Sequence, residues 1–272
     1  MSASSLRVLQ ECPRQFLLQY LRGLPRERVS SRMLLGTAVH AALESWYRAL
    51  QAGSPPPELV ELVETAAGTL QKEMSGPVPV EFGEDETADD LVHEAERVLE
   101  AFLAAPYRPA KVIGVEEGFG LEVRDQRGRL LFEELVVGFL DLVVEEEDCG
   151  VAIIDHKISS RLAVPKSTEL ETQLLLYAWV GDQLYGDRGP VRLKHHVLVR
   201  GKSGVRVELV DIPRSSHDTE EAFDAICSGL ELVQVAVEHP RPEQLLGRHR
   251  SWRCGGCGYR ERCGSPVGLL VA

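Results

Sequence analysis

The sequence predicts an α/β fold, a mixed β-sheet core flanked by helices, with a helical insertion and a C-terminal cysteine-rich tail. Three observations predict it. Helical periodicity dominates the chain up to Pro109, alternation of period two takes over from Lys111, and an apolar helical stretch after Pro165 separates a first β-hairpin from a further pair of strands. With 272 residues the chain can bury a substantial core, and it is read as one domain spanning 1–272, with the insertion at 53–109 and the tail at 248–272.

The helical elements come first. Leu6, Leu9, Phe16, Leu17 and Tyr20 give helical pieces over Ser5 to Arg22, interrupted near Pro13. A second helix runs from about Leu34 to Leu50 and carries His40 one turn after Gly36 and one turn before Glu44. Pro55, Pro56 and Pro57 mark a linker, and Glu58 to about Met74 is helical again. The acidic run from Ser75 to Asp90 reads as an exposed, mobile connection. Leu91, Ala95, Val98, Leu99 and Phe102 then line one side of another helix, so 53–109 is expected to form a lid or a partner surface.

The β elements follow. A strand passes through Phe119 and Val123 to a turn at Asp125-Gln126-Arg127-Gly128, and a hairpin covers Gly138 to Lys157. Thr168 and Glu171 have capping-box spacing and open a helix in which Gln173 and Tyr177, at i and i+4, share a face. From Pro190 to Arg200 the chain alternates. Val191, Leu193, His195, Val197 and Val199 face one way, and Arg192, Lys194, His196 and Arg200 form a solvated face that would also suit a phosphate-lined path. Lys202-Ser203-Gly204 turns into the strand Val205 to Ile212, and a helix from about Ser216 to Glu238 leads to the tail. No internal repeat is present.

The hairpin carries the most chemistry. Apolar runs flank Glu147-Asp148-Cys149-Gly150, and a turn symmetric about Asp148 sets Asp141 opposite Asp155, while Asp155 and Lys157 share a side. Directly opposed residues lie about 4.5–5.5 Å apart at Cβ, where two carboxylates repel unless a cation offsets them. Mg²⁺ or Mn²⁺ suits such oxygen ligands, and the lysine beside them can stabilise a developing phosphorane charge or orient a water. A register slip of one residue would put Asp141 on the other face. Val151 to Ile154 are all apolar, as in a strand covered on both sides, so Asp155 emerges at the end of a buried strand.

A formal charge of −12 argues for solubility and against indiscriminate adhesion to nucleic acid, without excluding a local basic channel. No apolar stretch is long enough to span a membrane and no signal-peptide core opens the chain, so a cytoplasmic protein is expected. In a reducing compartment, clustered cysteines point to metal. Cys254, Cys257 and Cys263 form C-x₂-C-x₅-C, one ligand short of a tetrahedral site. Cys12 would complete a four-cysteine site for zinc or an iron–sulfur cluster, and His249 would complete a zinc ribbon. Cys149 and Cys227 lack such spacing.

Taken in order, several segments resemble the PD-(D/E)XK nuclease superfamily. They are Ser4 to Phe16, the G-T-A-V-H of Gly36 to His40, the G-F-L-D of Gly138 to Asp141, the I-I-D-H-K of Ile153 to Lys157, the Q-L-L-L-Y of Gln173 to Tyr177, and the cysteines of the tail. The branch they resemble is the RecB-like one, which includes the CRISPR-associated exonuclease Cas-four and the nuclease domain of AddB. The set spans almost the full chain.

That resemblance implies a restriction-endonuclease-like core and a metal-dependent DNA nuclease, an exonuclease on single-stranded or free ends in DNA repair, recombination or CRISPR adaptation. It implies that His40, Asp141 and Asp155 hold Mg²⁺ or Mn²⁺, with the carbonyl of His156 as a further ligand, and that Lys157 positions the attacking water. Gln173 and Tyr177 would lie near the nucleic-acid backbone, and Cys12, Cys254, Cys257 and Cys263 would bind a [4Fe–4S] cluster tying the two ends together, with zinc as the alternative. A helicase or integrase partner is implied by relatives that work in larger machines. His156 stands where many relatives carry an aromatic or aliphatic residue and is expected to point away from the metal. The rival functions are a non-catalytic iron–sulfur scaffold that binds DNA ends and a zinc-ribbon protein with an incidental acidic hairpin.

Overall fold

The computed structural model describes residues 1–159, 172–201, 204–215 and 217–264. The expected capping box at Thr168 and Glu171, the turn at Lys202 and Ser203, the helix start at Ser216 and the end of the tail lie outside them.

Helix α1 (Ala3–Glu11) is capped by the Ser2 side chain, which accepts from the Ser5 N–H. Cys12 is extended, with φ −155°, and Pro13 occupies the first position of α2 (Pro13–Phe16), where its missing N–H costs nothing. The expected interruption therefore falls on Cys12 itself. A π-helical turn, Leu17–Leu21, follows.

Helices α3 (Ser31–Gln51), α4 (Leu59–Met74) and α5 (Ala88–Ala104) form a layer on one side of the sheet. Leu62, Leu70, Val98, Leu99 and Phe102 share one buried cluster with Leu35, Leu43 and Trp46 of α3 and with Leu142, Ile154 and Leu198 beneath them. The apolar faces expected to leave a lid are thus spent on the core. The acidic connection is also tied down, because β1 (Val29–Ser30) pairs in parallel with β2 (Val80–Glu81), and Glu86 accepts from Ser31 Oγ at 2.6 Å.

The main sheet is mixed and five-stranded, in the order β3 (Lys111–Leu121), β4 (Val136–Glu145), β5 (Val151–Ser159), β6 (Arg192–Gly201), β7 (Gly204–Ile212). Neighbours run antiparallel except β5 and β6, which are parallel and joined across α6 (Thr172–Tyr185), as a parallel pair requires. Helices α6 and α7 (Asp218–Glu238) cover the second face over Val143, Val151, Ile153 and Leu193. On β5, Ala152 and Ile154 face the α3 layer while Val151 and Ile153 face the α6 layer, which accounts for a strand with no polar side. This is the predicted α/β architecture, and it is consistent with a restriction-endonuclease-like fold.

The solvated face expected on β6 is solvated only in part, with Arg192 exposed and Lys194 and Arg200 half-buried. His196 is buried against Phe102 and His156, and Lys194 bridges Glu146 and Asp211, each at 2.8 Å. Arg192 pairs with Glu146 and Asp148, and Arg200 with Glu94. The acidic β4–β5 turn and α5 neutralise the charges that were read as a phosphate path.

The chain closes with α8 (Pro242–Leu245), a 3₁₀ turn at Trp252–Gly256 and α9 (Arg260–Cys263). Val8, Leu9, Phe16, Leu17, Ala236 and Leu246 form a small separate cluster where the two ends meet. Among the described residues, no helix is long and apolar enough to cross a membrane.

Candidate active site

Three carboxylates meet where the sheet opens. The β4–β5 ladder pairs Leu142 with Ile154 and Glu145 with Val151, so its register is symmetric about Asp148 and one further step sets Asp141 opposite Asp155. On the other side β3 pairs Val115 with Leu142 and Glu117 with Leu140, skipping the step at which Glu116 would meet Asp141. Glu116 has φ 46°, a left-handed conformation that costs a non-glycine residue energy and removes it from the ladder. Both strands change faces here. Leu140 and Val143, three residues apart, pack in the same cluster, while Val115 and Phe119, four residues apart, pack in opposite ones, and regular alternation forbids both. In place of a ladder bond, the His156 N–H donates to Asp141 Oδ2 at 2.9 Å.

Asp155 is buried, and its Oδ1 accepts from Lys157 Nζ at 3.1 Å and from Gln173 Nε2 at 2.9 Å. Oδ2 has Lys157 Nζ at 2.9 Å but outside hydrogen-bonding geometry, which leaves it a buried oxygen with no hydrogen bond. Gln173 holds the lysine from the other side, its Oε1 accepting from Nζ at 2.8 Å, and its Nε2 also donates to the Tyr177 hydroxyl. That hydroxyl in turn donates to the Phe139 carbonyl at 3.2 Å. The i, i+4 face read from the sequence thus fixes the lysine. Tyr177 is buried with its hydroxyl committed to Gln173 and to the Phe139 carbonyl.

His40 arrives from α3. Its Nε2 lies 3.0 Å from the His156 carbonyl, so Nε2 carries the proton and donates, and the lone pair of Nδ1 is turned toward Asp141 Oδ2, 3.6 Å away. Burial holds the His40 pKa below its ordinary value, which keeps the ring neutral. A metal-binding histidine commonly has its second nitrogen tied to a carbonyl in this way.

Ligand atoms of His40, Glu116 and Asp141 lie within 4.8 Å of one another. The sequence reading named His40 and Asp141 but missed Glu116. The signal available was a Glu-Glu-Gly run inside an apolar strand, with nothing to separate Glu116 from Glu117. Burial, then the charges of Asp141 and Glu44, push Glu116 up to about 7. Asp141 and Asp155 are also raised, chiefly by burial, with Lys157 pulling both back. The residues fit a hard divalent cation. They offer an oriented imidazole lone pair, a buried carboxylate oxygen lacking a hydrogen bond, and carboxylates whose mutual repulsion a cation would relieve. His156 itself points away, as expected. Its ring stacks on Tyr47 and meets His196, Nδ1 to Nδ1, at 3.1 Å. A cleft of about 580 Å³, of the size that ligand sites use, runs from Asp141 past Gln173, Tyr177 and Phe139 to the start of α1.

The cysteines converge on a pocket of their own. Cys12, Cys254, Cys257 and Cys263 line one pocket, and the Cys257 thiol is pushed up by burial and by the other three. His249 lines it too, but its Nδ1 faces the Glu11 carbonyl at 2.7 Å. Among the described residues, no three of the cysteine sulfurs lie within 4.8 Å of one another.

Carboxylates and a lysine at the open end of a mixed sheet suit metal-assisted hydrolysis of a phosphodiester. Residues 1–264 match the sequence profile of the PD-(D/E)XK nuclease superfamily, and the chain belongs to that superfamily. A crystal structure of a candidate exonuclease from Eubacterium rectale is similar in fold, with a TM-score of 0.56 and 12% identity, covering 100% of this chain and 90% of that one. A second solved structure, SSO0001, is 10% identical over 92% of this chain and 93% of its own, and its TM-score of 0.34 carries no argument. No curated protein matches the chain.

Proposed function

We propose that the protein is a metal-dependent DNA nuclease, an exonuclease acting on single-stranded or free ends in DNA repair, recombination or CRISPR adaptation. The observation that carries the reading is the convergence of His40, Asp141, Asp155 and Lys157 at one opening of the sheet, each held by a partner of its own. Bound Mg²⁺ or Mn²⁺ would lower the pKa of a water and neutralise phosphate charge. Asp141 and Asp155 would hold that ion with His40, and Glu116, whose ligand atom lies within 4.8 Å of those of His40 and Asp141, would be a further ligand. Lys157, fixed between Asp155 and Gln173, orients the attacking water and meets the charge that grows on the phosphate. Gln173 and Tyr177 keep this arrangement in register with the strand.

The basic residues are placed to support a nucleic-acid substrate. Residues 1–32 and 248–264 carry 11 arginines against three glutamates, in a chain of formal charge −12. These segments meet at the cysteine pocket, and α1 continues from there to the cleft.

At the cysteines the reading is a [4Fe–4S] cluster, with zinc as the alternative, because Cys12, Cys254, Cys257 and Cys263 line one pocket and either centre takes four thiolates.

End-labelled single- and double-stranded DNA, incubated with anaerobically purified protein and Mg²⁺ or Mn²⁺ beside Asp155→Ala, tests the activity. Cleavage from an end by the wild type alone is expected. A folded, iron-loaded wild type that cuts neither substrate would sink the catalytic reading in favour of a scaffold.

A further inference from the structure

Leu135, Val137 and Phe139 form an exposed apolar row that ends at the catalytic opening. They are 43%, 44% and 63% exposed, in a segment whose other apolar residues, Val136, Leu140 and Leu142, are fully buried. All three side chains lie over glycines of β3. A methyl group built on Gly118 would come 3.3 Å from Phe139 Cε1, and one on Gly120 would come 3.6 Å from Leu135 and 4.0 Å from Val137. The strand beneath is bare, so the row is a low platform and not the lip of a core. Asp141 follows Phe139 by two residues, about 7 Å along a strand. The Phe139 backbone is pinned at that distance, because its carbonyl accepts from Tyr177, which is tied through Gln173 to Lys157.

We infer that this row, with Phe139 as its main contact, is a stacking platform for the unpaired bases of single-stranded DNA next to the phosphate being cut. The inference rests on the nuclease reading and adds the form of the substrate. A phosphate held at Asp141 brings its own nucleoside within reach of a ring one strand repeat away. Inside a duplex neighbouring bases cover both faces, so an exposed aromatic row finds successive free base faces only along an unpaired strand. Such stacking takes any base, so the platform selects for single-strandedness and not for sequence.

The test compares wild type, Phe139→Ala and Phe139→Trp. Binding is followed by the fluorescence of 2-aminopurine in a single-stranded oligonucleotide, with Ca²⁺ as the cation and the absence of cleavage checked on a gel. Phe139→Ala is expected to weaken single-strand binding by about 5- to 150-fold, the usual worth of one stacked base, and to leave blunt-duplex binding within about twofold. Phe139→Trp should retain the affinity, and an oligonucleotide with abasic sites should bind wild type and Phe139→Ala alike. In cleavage with Mg²⁺ the loss should fall on KM while kcat holds. Equal single-strand affinity of wild type and Phe139→Ala, both folded by circular dichroism, would overturn the platform and leave the row to a protein partner. The two readings fail separately. A wild type that binds with quenching but never cuts refutes the nuclease, and one that cuts with no dependence on Phe139 refutes the platform.

Discussion

The carboxylate site and the cysteine module are assembled in opposite ways. Glu116, Asp141, Asp155 and Lys157 come from three adjacent strands, and the layers of α3 to α5 and of α6 with α7 hold those strands from both faces. Cys12 and the tail cysteines stand about 240 residues apart and meet over a small cluster that includes Phe16, Leu17 and Leu246. The first frame is held by the two cores themselves, and a cation would relieve the repulsion among its carboxylates. The second has little apolar packing of its own, so whatever the thiolates bind is part of what holds the ends together.

The sharpest way to test that contrast is to remove one group from each. Lys157→Ala is expected to cut the cleavage rate by at least about 10²-fold, the scale for losing one preorganised charge at a transition state. Its circular dichroism should stay close to wild type and its melting temperature should fall by only a few degrees, because the lysine side chain is one-third exposed and the main loss is the ammonium partner of buried Asp155. Loss of fold in this variant would make the lysine structural and break the comparison at its first term.

Cys254→Ala should do the reverse. Loss of iron and acid-labile sulfide is expected, together with a destabilisation on the order of 4 kcal/mol, typical of opening a cross-link across a very long loop. For a chain of this size that is a fall of about 10 °C in melting temperature, with faster proteolysis before Arg22. A variant that keeps its melting temperature would mean that the terminal cluster suffices without its ligand. Zinc in place of iron in anaerobically purified wild type would contradict the cluster and leave the staple argument standing.

What the sequence revealed follows from the same contrast. The hairpin was legible because alternation and a turn-prone centre fix register locally, and the symmetry about Asp148 that set Asp141 against Asp155 is the register observed. Cys12 could be matched to the tail by ligand chemistry even though no periodicity links them. Glu116 escaped because its position depends on two departures from regular pairing, a shift between Val112 and Gly114 and the left-handed turn at Glu116 itself, and neither has a local sequence signal. The charges of β6 were misjudged for a tertiary reason. Alternation predicts sides, but only the packed structure brings Glu146, Asp148 and Glu94 against Arg192, Lys194 and Arg200.

Glu116 supplies the smallest and most specific test, since it lies in the site that is framed without its cation. Its pKa is raised to about 7 by burial and by Asp141, so the folded protein holds this proton more tightly than the unfolded chain does. The stability linked to it is fully present below the unfolded carboxylate value and is lost as pH rises through about 7. A divalent cation favours the charged form and opposes that loss. The gain in melting temperature on exchanging EDTA for Mg²⁺ should therefore be larger at pH 8 than at pH 6, by a few degrees at most because Glu116 is only half-buried. In Glu116→Gln the metal-dependent gain should become nearly independent of pH while the folded structure persists. An equal gain at both pH values in the wild type would mean that the cation is held by Asp141, Asp155 and His40 alone, with Glu116 left as a strained neighbour outside its coordination.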